Sequence, residues 1–561
     1  MNKNTFSFII TKTFFLVFLL LLLSFKSKSQ NQDVIIIDTY KPVISDAFKI
    51  NENPQITDTA VEKIDLIYQV SPAYYPLSYT LNPIKPAKLS GQPLSKLYKS
   101  YLKVGFGSNI TPLAEFSIGN TRSAKQSIGF IYRHFSSSGK IKEYGYPGFS
   151  DNEASFYVKK FYKNHTFSTD IDFARNVIHY YGFLADQHSD ITKDSTRQRF
   201  NKIGATLNYK SNYIDSSRLN HNFAFNFYSL SDLFKSMENH FGLNASINKN
   251  VNLLGKTIKN QNLGINSIIH FYNNRNLLDT SNNGMLNLFP HFSANYDLIQ
   301  FTLGLNTFFE FSDNSKIHFL PSIHFNLNLY NRIFVVYGGL TNNLERNNID
   351  KIYKENPFIN TSLPLEFSYT KSKFYGGFKG SISSNLSFNA SVSKSVIDQL
   401  PLFYNDTTAE LLNKFLVLYD KVGVFNTHFD ITFQKKEKIK LLLASNYYQY
   451  FTEKEQNAWY KPTMDVQLLT QYNLMDKFIL KADIIAYNGV DAKFIYSNNP
   501  VSTKIIHLKG TTDVNLGVEY CYSKILSAFL NFNNITSSKY KQWIKYPTYG
   551  FNILGGISYS F

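Results

Sequence analysis

The sequence predicts an all-β chain whose main part is a transmembrane antiparallel β-barrel of about 22 strands, preceded by a short Pro-rich periplasmic segment. Three observations lead to this fold class. Apolar and polar residues alternate through segments of about ten residues, short and long connections alternate between these segments, and aromatic residues make up 16% of the 561 residues. A membrane-crossing strand needs about 9–11 residues, whereas strands of soluble proteins average about five or six. The segment length therefore favours a membrane barrel over a soluble β-sandwich.

The alternation begins after the Pro-rich segment and persists to the end of the sequence. In the stretch "HNFAFNFY", Phe223, Phe225 and Phe227 fall on one face, and Asn222 and Asn226 fall on the other. Successive side chains of a strand point to opposite faces, so each segment has one apolar and one polar side. We expect the phenylalanines to face lipid and the asparagines to face the lumen.

The connections predict how the strands are arranged. Short connections cover residues 120–123, 162–165, 475–477 and 522–524, and long ones cover residues 136–152, 344–366, 397–420 and 489–510. Short turns on one rim and long loops on the other are typical of outer-membrane barrels. Pairing the segments backwards from Phe561 gives about eleven hairpins, with a first strand near Ser100. Residues 365–372 and 415–419 fit either a strand or a loop.

Two segments precede the predicted barrel, which we place at residues 99–561. Residues 1–29 have the pattern of a signal peptide, because Lys3 and Lys12 accompany an apolar run of suitable length. An uncleaved membrane anchor is the alternative. Residues 30–98 contain seven of the 17 prolines, and proline lacks the backbone donor that a sheet needs. We expect this segment to lie in the periplasm and the barrel to lie in the outer membrane.

The charge pattern argues against one class of partner. The formal net charge is +17, yet the positive residues are scattered through turns and strand ends without an arginine-rich run. We therefore expect no nucleic-acid binding, and instead contacts with outer-membrane lipid and lipopolysaccharide, whose headgroups are anionic. The single cysteine, Cys521, permits no internal disulfide and no cysteine-based metal cluster.

The last strand has a pattern of its own. Ile557, Tyr559 and Phe561 fall on one face, and Ser558 and Ser560 fall on the other. Within hydrocarbon every backbone polar group has to be paired, so a spanning sheet has to close on itself. We expect this strand to close the barrel against the first one, with Ile557, Tyr559 and Phe561 as a closure signal for the barrel-assembly machinery. The alternative is a buried edge strand of a soluble domain.

The stretch "LSAFLNFNNITSSKYKQWIKYPTYGFNILGGISYSF" (residues 526–561) resembles the C-terminal end of TonB-dependent receptors. The residues that match are Asn533, Asn534, Tyr540, Tyr546, Pro547, Gly550 and Phe561. The resemblance covers about residues 99–561. It implies a barrel of about 22 strands, of the type found in Bacteroidota, that binds or transports a ligand across the outer membrane.

Members of that family also carry a plug domain inside the barrel. Residues 31–98 number only 68 and show no repeated strand–helix pattern, so we expect the plug to be missing. A TonB box is a short apolar stretch near the mature N-terminus, and the candidate here consists of Val34, Ile35, Ile36, Ile37 and Asp38. The same residues also fit a short periplasmic strand.

The motifs of common enzyme classes are missing from the sequence. It contains no His-Glu-x-x-His zinc motif, nucleophile elbow or Gly-rich phosphate loop, so we expect no enzyme, no metal and no cofactor. His428 and Asp430 could orient a base, but the alternation places both in the lumen. His318 and His324 share a face yet lie about 20 Å apart along a strand, too far to share a metal by themselves. The acidic residues that we also interpret as lumenal are Glu310, Asp513 and Glu519.

One surface loop has a composition that suits binding. Residues 134–154 combine Gly, Ser, Tyr, Lys and acidic residues. This mixture fits contacts with a glycan or a peptide. It also fits a capped hairpin without a ligand, because "YPGFSDN" supplies turn residues.

The sequence leaves two functions open. The first is transport or binding of an unidentified ligand across the outer membrane. The alternative is a structural or assembly barrel that anchors a periplasmic or secretion partner and transports nothing itself. In either case a lumen of about 22 strands is wide enough to need a blocking element. The candidates are the N-terminal segment, inward-folded loops such as residues 397–420, and a periplasmic partner or plug protein.

Overall fold

The computed structural model describes residues 96–561 except residues 214–216, 277–279, 313–314, 331–332 and 499–500. The predicted signal peptide, nearly all of the Pro-rich segment and the candidate TonB box at residues 34–38 lie outside the described residues.

Strands make up most of the described chain. They are β1 (Ser100–Gly107), β2 (Thr111–Gly119), β3 (Gln126–Ser137), β4 (Phe149–Phe161), β5 (His165–His179), β6 (Arg197–Ser211), β7 (Asn220–Asp232), β8 (Met237–Asn250), β9 (Lys259–Arg275), β10 (Thr280–Tyr296), β11 (Ile299–Phe311), β12 (Lys316–Leu329), β13 (Phe334–Arg346), β14 (Phe367–Ser383), β15 (Leu386–Asn405), β16 (Phe415–Lys435), β17 (Ile439–Thr452), β18 (Met464–Leu474), β19 (Phe478–Tyr487), β20 (Val490–Asn498), β21 (Val501–Leu508), β22 (Thr511–Cys521), β23 (Leu526–Asn533), β24 (Lys541–Trp543), β25 (Tyr546–Pro547) and β26 (Asn552–Ser560). The helices are α1 (Ile349–Glu355) and a 3-10 turn (Ala185–Gln187).

The strands close into one antiparallel barrel of 22 strands. Each strand from β1 to β19 pairs with the next, β19 pairs with β22, and β22, β23 and β26 follow in order. β26 then pairs with β1, through Leu102↔Tyr559 and Val104↔Ile557. The predicted fold class, the strand number and the first strand near Ser100 are confirmed. The hairpins β20–β21 and β24–β25 are not strands of the barrel wall.

The two rims of the barrel differ as predicted. Ser100 and Phe561 exchange two backbone hydrogen bonds of 2.9 Å at one rim, which also carries the short turns such as residues 162–164 and 475–477. We call this the short-loop rim. The opposite rim, the long-loop rim, carries the connections at residues 138–148, 180–196, 347–366, 406–414, 453–463, 488–510 and 534–551. In outer-membrane barrels the short turns face the periplasm and the long loops face the outside.

One predicted loop is wrong. Residues 397–420 are mostly strand, because β15 and β16 remain paired from Leu400↔Asp420 to Asn405↔Phe415, and only residues 406–414 form a loop. The two ambiguous stretches are strand from Phe367 and from Phe415 onward. The error has a physical cause. A register shift between Ile397 and Leu400 interrupts the period of two on which the prediction depended.

The two faces of the wall follow the alternation. Phe225 and Phe227 are 53% and 38% exposed, whereas the neighbouring Asn226 accepts a hydrogen bond from the Thr206 hydroxyl of β6 (3.2 Å). Outward-facing apolar side chains form a belt, which is the lipid-facing surface of a membrane barrel. The described residues include no helix that is long and apolar enough to cross a membrane.

Candidate functional site

Four neighbouring strands leave the wall near the long-loop rim. The pairing of β13 with β12 ends at Leu340, and the pairing of β16 with β17 ends at Val422. Register shifts lie at this level in all three strand pairs between them, at Thr341/Asn343, Thr370/Ser372 and Ile397/Leu400. Bulges of this kind bend a strand and increase its twist. We call the bent part, residues 341–346, 367–372, 397–405 and 415–421, the inner flap.

The inner flap lies against the lumenal side of the neighbouring wall. Leu344, which is 1% exposed, packs against Met285 of β10 and Phe308 of β11. The ring of Tyr369 lies 4.0 Å from the ring of His318 of β12, measured between centroids. These three wall residues point inward, because their sequence neighbours occupy the opposite, lipid-facing side. The flap therefore occupies space that would otherwise be open lumen.

The connection between β13 and β14 reaches strands that are not its neighbours. Its helix α1 begins after Asn348, whose side chain accepts a hydrogen bond from the Lys351 N–H (2.8 Å) and caps the helix. The Ile349 N–H donates to the carboxylate of Glu238 in β8 (2.8 Å). Glu238 is 0% exposed and also accepts a hydrogen bond from the Tyr228 hydroxyl of β7 (2.9 Å). A buried carboxylate on the wall thus holds the first turn of α1.

Two further contacts fix α1 to β6. The ammonium of Lys202 lies 2.8 Å from the carboxylate of Asp350. The rings of Phe200 and Tyr353 are stacked, with their centroids 4.3 Å apart. Because β6, β7 and β8 are remote from β13 in the order of the wall, the connection has to run through the interior of the barrel to reach them.

The second half of the same connection, residues 356–366, is also bonded to the wall. The Tyr180 hydroxyl donates to the backbone carbonyl of Ile359 (2.8 Å), and the Thr361 hydroxyl donates to the carboxylate of Asp232. Ile359 also forms a parallel bridge with Phe415 of the inner flap. Residues 347–366 therefore contact both the β5–β7 wall and the flap.

The hairpin β20–β21 is attached to the inner flap by a parallel bridge between Tyr404 and Lys493 and by a buried amide. The side chain of Asn405 donates to the Ile495 carbonyl (2.9 Å) and accepts from the Ile495 N–H (2.7 Å). On the same hairpin, Lys493 pairs with Glu455 at 2.8 Å, and Glu455 also accepts from the Trp459 indole N–H (2.7 Å). The connection at residues 453–463 is thereby joined to β20.

The last long connection contributes two large aromatic residues. The ring of Tyr546 stacks on Phe358 with centroids 3.6 Å apart, and its hydroxyl donates to the backbone carbonyl of Asn413. Trp543 packs at 5.1 Å from Phe403 and 5.5 Å from Phe415, again between centroids. Burial raises the pKa of Tyr546 well above its usual value, which disfavours ionisation of this hydroxyl inside the lid.

These connections share one apolar core. Its buried members come from the wall, the inner flap and four connections: Phe200, Leu230, Ile349, Ile352, Tyr353, Ile359, Leu363, Leu402, Phe403, Phe415, Val417, Trp459, Tyr460, Val490, Ala492, Phe494, Leu508, Trp543, Ile544 and Tyr546. Leu412 of a fifth connection, residues 406–414, is partly buried against this core. We call residues 347–366, 406–414, 453–463, 488–510 and 534–551 the lid. Full burial of each large side chain contributes about 1.5–3 kcal/mol, so the lid is a folded layer at the mouth of the barrel.

The residues of the predicted closure signal lie on the strand that closes the barrel. Ile557 and Tyr559 are opposite Val104 and Leu102 of β1 and face outward, 51% and 40% exposed. The ring of Phe561 stacks beside Tyr559 at 5.5 Å. Their part in assembly remains a prediction.

The predicted lumenal residues take part in polar networks of the inner wall. His428 and Asp430 lie 2.9 Å apart, and the Asp430 carboxylate accepts a hydrogen bond from the Asn389 amide (2.9 Å). His318 interacts with Glu310 at 3.4 Å. His324 has other partners, namely Ser322 (3.0 Å) and Tyr375. Among the residues that the structure describes, no cluster of three metal-ligating side chains occurs.

Sequence reasoning missed the residues that hold the lid. Glu238 and Asn405 lie on strands, and nothing in their local pattern distinguishes them from other lumenal polar residues. The alternation could have placed Glu238 on the inner face, beside Tyr228 of the preceding strand β7. Its partner Ile349 is 111 residues away, so no local signal could identify the pair.

The loop that sequence reasoning singled out for binding forms one side of a cavity. Its Gly145 N–H donates to the Phe183 carbonyl (3.1 Å), and the Ala185 N–H donates to the Glu143 carbonyl (2.9 Å). These bonds join residues 138–148 to residues 180–196. The two connections line a half-open cavity of about 480 Å³.

No protein-family model matches this sequence, and no curated protein matches it. Solved structures do share its fold. The pyoverdine outer membrane receptor FpvA of Pseudomonas aeruginosa PAO1, bound to pyoverdine, is 12% identical, with a TM-score of 0.62 over 84% of this chain and 79% of the receptor. The FrpB iron transporter of Neisseria meningitidis is 10% identical, with a TM-score of 0.63 over 83% of this chain and 82% of that one.

A third similar structure is the ferric-catecholate import receptor Fiu of E. coli K12, which is 10% identical with a TM-score of 0.60 over 83% of this chain and 82% of the receptor. At these identities the likeness establishes the fold. The chain has the large-barrel fold of these receptors and transporters. Together with the apolar belt, this fold places the chain in the outer membrane.

Proposed function

We propose that this chain is an outer-membrane barrel that binds or transports a ligand across the outer membrane and that its own lid closes the lumen at the long-loop rim. The observation that carries the proposal is the apolar core that joins the connections of the lid to the wall and the inner flap. Barrels of about 22 strands have a lumen wide enough to require a plug. A loose set of loops would not bury aromatic residues such as Trp543 and Tyr546 to 5% and 2% exposure.

The proposal includes finer statements about the rest of the chain. We propose a plugless relative of the TonB-dependent receptors, of the Bacteroidota type, with residues 30–98 in the periplasm and residues 34–38 as the candidate TonB box. The likeness to receptors and transporters for pyoverdine, iron and ferric catecholate supports an import barrel over an enzyme. The ligand of this chain is unidentified.

Opening the lumen requires specific contacts to break. The hydrogen bond from the Ile349 N–H to Glu238, the ion pair of Lys202 with Asp350 and the two hydrogen bonds between Asn405 and Ile495 all join the lid to the wall or the flap. Each broken contact exposes buried groups, and net costs of about 0.5–1.5 kcal/mol per hydrogen bond are usual. The closed state is therefore the resting state, and ligand binding or a partner has to supply the difference.

The proposal can be tested by removing the crossing connection without disturbing the wall. Arg346 and Phe367 are backbone partners across the β13–β14 pair, so an Asn-Gly turn can replace residues 347–366. Ser137 and Phe149 are partners in the same way, and an Asn-Gly replacement of residues 138–148 is the matched control. We expect large, long-lived single-channel conductance for the first variant, whereas the native chain and the control remain mostly closed.

Two results would contradict the proposal. If the variant that lacks residues 347–366 remains closed, the lumen is blocked elsewhere, and deletion of residues 31–98 then tests the N-terminal segment. If the native chain conducts as well as that variant, the lid is no barrier. The alternative function, an assembly barrel without transport, predicts a stable periplasmic partner in a pull-down and no ligand-dependent opening.

A further inference from the structure

A cavity of about 480 Å³ lies between residues 138–148 and residues 180–196 at the long-loop rim. Small-molecule sites usually have volumes of about 300–1,000 Å³. The two connections are held together by backbone hydrogen bonds and by the bridge between Tyr144 and Leu184. Hydrogen bonds between the two connections therefore fix the backbone that surrounds the cavity.

The walls of the cavity are partly aromatic and well supported. Tyr146 packs edge-on against His179, with centroids 4.8 Å apart, and His179 is held by the Gly148 carbonyl (2.7 Å). Phe183 contacts His188 in the same edge-on manner, with centroids 5.9 Å apart. Phe183 is only 7% exposed, whereas Tyr144 and Tyr146 are partly exposed and present apolar ring surface against which a planar or ring-shaped ligand can lie.

The charged residues that line the cavity are mostly cationic, whereas Asp186, Asp190 and Asp194 of residues 180–196 lie outside its lining. Three lysines line it, Lys140, Lys142 and Lys193, against one acid, Glu143. Glu143 lies 3.9 Å from Lys142 and offsets only that charge. Among the ion pairs in the described part of the chain, none includes Lys140 or Lys193. A fourth lysine, Lys541, lies 5.6 Å from the centre of the Tyr144 ring.

These lysines have no evident task in holding the fold. Lys142 is 85% exposed at its side chain, and neither it nor its neighbours belongs to the apolar core of the lid. Lysine ammonium groups on flexible stems bind carboxylate and phosphate oxygens as point charges. A cationic rim over an aromatic wall matches a ligand that carries both an anionic group and a ring face.

We propose that this cavity binds a small organic anion with a ring face, such as an acidic sugar, with its carboxylate or phosphate at the lysines and its ring against Tyr144, Tyr146 or Phe183. This inference names the class of ligand that the proposed receptor binds at its outer surface. It rests on the proposed function only for transport of the ligand after binding. The same chemistry could come from a free sugar acid or from the acidic headgroup of lipopolysaccharide.

The experiment measures binding of digalacturonic acid to the full chain purified in detergent, by calorimetry, with neutral cellobiose as the comparison ligand. The test variant combines Lys140→Gln, Lys142→Gln and Lys193→Gln. The matched control combines Lys249→Gln, Lys256→Gln and Lys259→Gln, which remove the same charge from exposed positions at the opposite rim. We expect the test variant to bind about tenfold more weakly or not at all, the control to bind as the native chain does, and cellobiose not to bind.

The outcomes separate the two sources and the two proposals. If lipopolysaccharide competes with digalacturonic acid for the native chain and does not bind the test variant, the cavity binds the lipopolysaccharide headgroup. If lipopolysaccharide does not compete, the ligand is a free acid. Equal weakening in the test and control variants, or no anion binding by the native chain, overturns the inference. Glu238→Ala, which removes a contact of the lid outside residues 138–148 and 180–196, should leave this binding unchanged, so the cavity and the lid can fail separately.

Discussion

The wall of the barrel alternates inward and outward side chains along its whole height, but the inward side chains differ between its middle and the long-loop rim. They are polar in the middle and apolar near the long-loop rim. Strand β7 shows both. Its inward Asn226 bonds to Thr206 of the preceding strand β6. Its inward Leu230, nearer the long-loop rim, is 0% exposed and belongs to the apolar core of the lid. Burial on the lumenal side of a strand thus depends on what covers it. Inward positions that face water in the lumen are polar, and inward positions that the lid covers are apolar.

The comparison extends to the strands themselves. Most strands of the wall remain paired on both sides along their length, whereas β13 to β16 bend inward at one line of register shifts. Backbone groups in hydrocarbon have to be paired, so a bend of this kind is acceptable only where protein or water replaces the missing neighbour. The inner flap meets this condition by packing on the lumenal side of β10, β11 and β12.

The largest expected effect is on the core of the lid. Trp543→Ala removes a side chain that is 5% exposed and should lower the free energy of lid opening by about 3–5 kcal/mol, the usual cost of truncating a buried tryptophan. Hydrogen exchange of the backbone amides in residues 347–366 and 534–551 measures this energy. Phe378→Ala, at a 46% exposed position of the wall, is the control. Unchanged exchange in the lid would show that these connections do not share a core.

The next effect tests the wall. Phe225→Arg should destabilise the folded barrel by about 2–4 kcal/mol if the position is near mid-membrane, because it places a charge in lipid. Asn226→Arg, one residue away on the lumenal face, should be tolerated. Unfolding by urea in lipid vesicles, followed by the loss of the heat-modifiable band on gels, compares the two. A reversed order of stability would contradict the assignment of the faces.

The smallest effect concerns the contact that joins wall and lid. Glu238→Ala removes the acceptor of the Ile349 N–H and of the Tyr228 hydroxyl, and at the usual net cost of about 0.5–1.5 kcal/mol per hydrogen bond the two losses amount to about 1–3 kcal/mol. We expect faster amide exchange in α1 and more frequent brief openings in single-channel recordings, with the barrel itself intact. Glu437→Ala, at an exposed position on the short-loop rim, should change neither. Loss of the whole barrel instead of lid opening would mean that Glu238 supports the wall.

The sequence by itself determined the barrel. Strand length, the period of two, the alternation of short and long connections and the stretch from Leu526 to Phe561 predict the fold class, the strand number and the closing strand, because each is a local property that repeats along the chain. A register shift interrupts that period, which is why residues 397–420 were wrongly predicted as a loop.

Only the tertiary structure decided what closes the mouth. The Tyr180 hydroxyl and the Ile359 carbonyl that it contacts are 179 residues apart, and Asn405 and Ile495 are 90 residues apart. In the sequence these residues read as ordinary loop or lumenal positions, and inward-folded loops were one of three possibilities. Side chains from distant connections pack into a common core only when barrel closure brings those connections to one rim. Contacts of this kind cannot be predicted from a local sequence pattern.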